Sequence, residues 1–142
     1  MVMTRLFTLA ALGTLLALPA AAQQSAFHTG GCETHSNDQV RCAVRMPMVG
    51  HYNQRVVLRA SGTGLVSGQA QVWVGECGQI GMAGGIRDVR NSGSATELVR
   101  ARVSAAAFSC QEVFVFNCRE GGQRVPCSRG FSNATIRVDL TQ

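Results

Sequence analysis

Lysine is absent from the 142 residues, and all thirteen basic side chains are arginine. Together with abundant alanine and glycine, this reads as the base composition of a GC-rich bacterial genome, not as a demand for guanidinium chemistry. Stacking aromatics are scarce, with one Trp and one Tyr. Trp73 and Tyr52 are therefore the only expected platforms for a sugar ring or a single strand, which is thin for a dedicated binder of either. No apolar run reaches the roughly 20 residues a membrane-spanning helix needs. No low-complexity linker or internal repeat divides the chain.

Motifs of catalysis and cofactor binding are missing as well. The stretch Gly75-Glu76-Cys77-Gly78-Gln79-Ile80-Gly81 follows a strand pattern but has neither the G-x-G-x-x-G order nor a G-K-[ST] ending. No cofactor is expected. No serine lies in G-x-S-x-G, and His28, His35 and His51 are the only histidines. Ser36, Asp38 and Asp88 are at most available partners for a nucleophile and its base. Glu33, Asp38, Glu76 and Asp88 could supply a carboxylate pair for glycoside cleavage, but spacing alone pairs none of them. Cys32-Glu33-Thr34-His35, followed by Cys42 and His51, has metal-ligand spacing. No second C-x-x-C or C-x-x-H completes a site, so no metal is expected.

What is present begins with residues 1–22: a basic start ending at Arg5, an apolar run from Leu6 to Leu18, then Pro19 and three alanines. That is the three-part pattern of a secretory signal peptide. It predicts removal before Gln23, a soluble mature chain of one domain over residues 23–142, and a periplasmic or secreted location. All six cysteines lie beyond that point. An even number of cysteines in an exported chain implies three disulfides. The shortest loops favour Cys32 with Cys42 and Cys118 with Cys127, leaving Cys77 with Cys110.

Period-two alternation marks half-buried strands. It is clear in Gln39 to Met46, Gln54 to Ala60, Gln69 to Val74 and Ala134 to Leu140. Val113 to Cys118 is apolar on both faces and is expected to be a central strand covered on both sides, returning as a disulfide-pinned hairpin to Cys127. Gln23 to Gly31 reads as a loose arm. Gly75 to Gly93, with six glycines, reads as a long mobile loop. Between Ser94 and Phe108 a capping box and three alanines compete with alternation. A strand through Val103 is expected there, with one helical turn over Ala105 to Phe108. The sum is an all-β chain, an antiparallel β-sandwich or small barrel stabilised by disulfides, with an α+β variant carrying one short helix near 95–108 as the alternative.

Charge carries the one functional signal. From Arg41 to Arg102 eight arginines face three acids, whereas the remainder beyond residue 22 is close to neutral. Arg41, Arg45, Arg55, Arg59, Arg100 and Arg102 fall in pairs on one face of their strands. If those strands neighbour one another, the six form a positive stripe suited to phosphate, sulfate or carboxylate groups. The partners this implies are an anionic glycan, lipopolysaccharide, extracellular DNA or an acidic protein, with Trp73 as a contact. The expected function is a non-catalytic exported binding module. The alternatives are an inhibitor of an extracellular enzyme, presenting the Cys118–Cys127 loop, and a small hydrolase using a histidine and a carboxylate.

Overall fold

The computed structural model describes residues 25–36 and 38–142; residues 1–22, read as a signal peptide, lie outside them. Nine strands and one short helix follow in the order β1 (Ser25–Ser36), β2 (Gln39–Pro47), β3 (Gly50–Ser61), β4 (Val66–Glu76), β5 (Gly81–Arg90), β6 (Ser92–Ala105), β7 (Phe108–Glu120), β8 (Gln123–Arg124), α1 (Ser128–Phe131) and β9 (Thr135–Thr141). The strands form one curled antiparallel sheet in the order β5-β4-β7-β2-β1-β9-β3-β6, with β8 added to β7.

The curl turns on β1. Its first half pairs with β9, from Ser25↔Thr141 to Gly31↔Thr135, and its second half pairs with β2 from Cys32↔Cys42 onward. One strand therefore carries the chain from one half of the sheet to the other. At the crossover, a Cβ on Gly30 would collide with the carbonyl oxygen of Ala43, so only glycine lets β1 pass this close to β2. At the far ends of the path β6 packs against β4 and β5. Gly84 takes part with φ +72°, where a Cβ would lie 3.2 Å from Val99 Cγ2.

The inside of the curl is apolar. Val40, Met46, Val72, Val113 and Ile136 are fully buried, and Phe131 of α1 is buried with them. Parity reads these positions correctly in β2, β4 and β9, because each alternates in and out over its buried half. The disulfides join Cys32–Cys42, Cys77–Cys110 and Cys118–Cys127, the two pairs that the shortest loops favour and the one they leave. The first staples β1 to β2 at a direct cross-strand pair. The second ties the β4–β5 turn to β7, and the third ties the end of β7 to the start of α1.

Four local expectations change. Gly81 to Arg90, read as part of a mobile loop, is edge strand β5, laddered to β4 from Ser67↔Arg90 to Val74↔Gly81. An edge strand needs only one partner and few packed side chains, and only Val89 in β5 is buried, so it carries no alternation to read. Residues 25–31, read as a loose arm, are held by β9, more than a hundred residues away in sequence. The helical turn at Ala105 to Phe108 is instead a two-residue bend between β6 and β7, and the only helix among the described residues is α1. Finally, β7 is covered unequally on its two faces: Val113 and Val115 are fully buried, while Phe114 and Phe116 are only half-buried.

Candidate anion-binding face

The outer face of β6, β3, β9 and the first half of β1 can be laid out row by row from the register. Arg102 lies beside Asn53, and Asn53 beside Thr141; Arg100 lies beside Arg55, then Asp139, then Phe27. Glu97 lies beside Val57, then Arg137, then Thr29; Ala95 lies beside Arg59, then Thr135. Five exposed arginines, 55, 59, 100, 102 and 137, thus share a face with two carboxylates, Glu97 and Asp139. Arg55, Arg100 and Arg102 line an open groove of about 590 Å³ with Asn53, Asp139 and Thr141.

A bulge creates the central contact. The β3–β6 register slips between Val56↔Val99 and Val57↔Glu97, leaving Leu98 as an extra residue. Leu98 and Val99 both turn inward, at 0% and 7% exposure. In a regular strand Glu97 and Arg100, three apart, would point to opposite faces. The extra residue brings both outward, and Glu97 Oε1 accepts from Arg55 Nε at 2.6 Å and Arg100 Nε at 2.7 Å. Asp139 continues the line, accepting from Arg137 Nε at 2.8 Å and lying 3.4 Å from Arg55 Nη1. The Arg137 guanidinium in turn stacks 3.9 Å over the Phe27 ring. The Arg55 hydrogen bond, with the nearby Arg100 charge, holds the Glu97 carboxyl below its ordinary range. Among the described residues Arg102 reaches only Asn53 Oδ1, at 3.4 Å. Arg59 has no ion pair among the described residues.

The six arginines picked out by spacing do not form one stripe. Arg55, Arg59, Arg100 and Arg102 meet on β3 and β6, whereas Arg41 and Arg45 lie on β2 in the other half of the sheet. Arg41 is bound by Glu112 and is 3.5 Å from Glu33. Arg45 stacks 4.1 Å over Phe108. Trp73, on β4, shares that second half. Sequence reasoning missed Arg137 and Phe27 because their places beside β3 arise only from pairing with β9 and β1. It also missed a buried polar cluster between the two halves. Gln54 Nε2 donates to Ser109 Oγ at 2.8 Å, Gln111 Nε2 donates to Ser109 Oγ at 2.6 Å, and Gln111 Nε2 also reaches Gln54 Oε1 at 2.9 Å. The signal was available at Gln54, which has the parity of Val56 and Leu58.

The histidines lie apart from this face's carboxylates. His28 is partly buried on β1, His35 sits edge-on to Phe114 at 5.2 Å, and His51 is exposed on β3 opposite Ser104. None is ion-paired to a carboxylate among the described residues. No helix among those residues is long and apolar enough to cross a membrane.

No protein-family model matches the chain, and no curated protein matches its sequence. Among solved structures, that of infectious bursal disease virus Gt strain is similar with a TM-score of 0.34 and 12% identity, over 84% of this chain and 38% of that one. That of the Gx strain gives 0.35 and 10% over the same shares. The chain therefore spans well under half of either, and a likeness at this level bears on neither fold nor function.

Proposed function

We propose that the chain is an exported, non-catalytic module that binds an anionic polymer, such as a sulfated or carboxylated glycan, on the face of β6, β3 and β9. The observation that carries the reading is the groove formed by Arg55, Arg100 and Arg102 on a face where five arginines outnumber two acids. Guanidinium groups present paired donors in a fixed fork that matches sulfate and carboxylate oxygens. Neighbouring strands are about 4.8 Å apart, so the face offers several charges at intervals a repeating polymer can meet. Glu97 and Asp139 hold the Nε atoms of Arg55, Arg100 and Arg137, which lowers the entropy lost when a ligand takes their free donors. Three disulfides are compatible with an oxidising compartment, and we place the protein in the periplasm or outside the cell.

Retention on immobilised heparin tests the reading. The protein should bind at low salt and elute as salt screens the contacts. The Arg100→Ala/Arg102→Ala double variant should elute at clearly lower salt. Passage of the unmodified protein straight through the column at low salt would end the proposal.

A further inference from the structure

The other half of the sheet carries a second surface of different chemistry. Its centre is the half-buried face of β7, where His35 sits edge-on to Phe114. Trp73 on β4 pairs with Glu112, so Phe114, two residues further along β7, lies diagonally from it; Gln71 pairs with Phe114, and Gln69 with Phe116. Diagonal neighbours and same-face residues on one strand are both about 7 Å apart. Trp73, Phe114 and Phe116 therefore form a short line of partly exposed rings.

A bulge again sets the polar groups. Between Ser67↔Arg119 and Gln69↔Phe116 the ladder gains a residue on β7, and Asn117 there takes φ +52°, alone among the non-glycine described residues in having positive φ. Gly68 allows it, since a Cβ there would sit 2.8 Å from Cys118 Sγ. Phe116 and Asn117 thereby both face solvent instead of alternating. Asn117 Nδ2 donates to Gln69 Oε1 at 2.9 Å, which places an amide pair beside the ring. Open grooves flank this ridge, one of about 450 Å³ with Gln69, Asp88, Arg90 and Arg119, the other of about 330 Å³ with Asp38, Gln39 and Arg124.

Two of the arginines on this half are held by acids. Arg41 is taken up by Glu112 and Glu33, and Arg124 lies 3.9 Å from Asp38. Arg90 and Arg119 face one acid, Asp88, in the wider groove, and Met82, which pairs with Trp73, adds an exposed apolar side chain at the edge of the ring line. A ring line bordered by amides and paired charges suits a chain of flat, uncharged rings edged with hydroxyl and acetamido groups. The C–H faces of equatorially linked sugars lie against the negative faces of aromatic rings, while amides and carboxylates bond the hydroxyls. We propose that Trp73, Phe114 and Phe116, with Gln69, Gln71 and Asn117, form a site for a neutral β-1,4-linked glycan of the N-acetylhexosamine type. It is separate from the arginine face and does not depend on it.

The single tryptophan lies in this site, so its emission reports occupancy directly. Titration of the purified protein with chitohexaose should give a saturable emission change that heparin does not reverse. Phe114→Ala should weaken the apparent affinity about tenfold or more. Gln71→Ala, at a partly exposed amide, should weaken it several-fold with an unchanged melting curve, which covers the case where the Phe114 variant is misfolded. Heparin retention should persist in Gln71→Ala, and chitohexaose binding in Arg100→Ala/Arg102→Ala. No saturable change at millimolar chitohexaose, or undiminished affinity in both site variants, overturns the proposal while leaving the arginine face to its own test.

Discussion

Glu97 serves two arginines because one inserted leucine turned it to their side of the sheet. Its carboxyl sits below its ordinary range chiefly through the Arg55 hydrogen bond. Arg55→Ala should therefore raise the Glu97 midpoint toward the usual value, as read from side-chain carboxyl shifts in an NMR titration. For a depressed acid, the stabilisation is present above the unfolded-state pKa and is lost as pH falls through the folded one. Glu97→Gln should accordingly flatten the acid limb of the stability curve. Inside the curl, Ser109 Oγ receives two amide donors and itself reaches Gly75 O at 3.4 Å. Ser109→Ala strips that acceptor from Gln54 and Gln111 and should cost about 1–3 kcal/mol in denaturant unfolding. At this scale the sequence showed which side chains alternate, but not which would meet: Arg55 and Asp139 are 84 residues apart.

Elements were legible where both of their faces had distinct environments, as in β2, β4 and β9. They were illegible where pairing was one-sided or remote, as in β5 and the first half of β1. Bulges were invisible throughout, since an extra residue leaves no mark in a pattern until a partner strand supplies the register. The crossover in β1 gives a sharp contrast between two adjacent glycines. A Cβ on Gly30 strikes the Ala43 carbonyl and Val44, whereas one on Gly31 meets nothing within 4 Å. Gly30→Ala should lose about 1–3 kcal/mol by overpacking, and Gly31→Ala should stay within about 0.5 kcal/mol. Thermal melts of the two variants side by side check the assignment of the crossover; equal melting points would contradict it.

For the molecule as a whole, the disulfides close loops of different length. Cys77–Cys110 spans 33 residues and Cys118–Cys127 spans 9. Loop entropy makes the longer bridge worth about 1 kcal/mol more, so Cys77→Ala/Cys110→Ala should be less stable than Cys118→Ala/Cys127→Ala by about that amount in denaturant titrations. Sequence by itself determined the strand-built body and its stitching, because alternation and cysteine spacing are local or nearly local properties of the chain. It also held the arginines of β3 and β6. Only the tertiary structure decided that those four share a face with Arg137 while Arg41 and Arg45 do not, and that Phe114 and Phe116 are only half-buried on β7. The reason is that neighbours in a curled sheet are set by which strand pairs with which and by where each ladder slips, and neither is written in the period of any one strand.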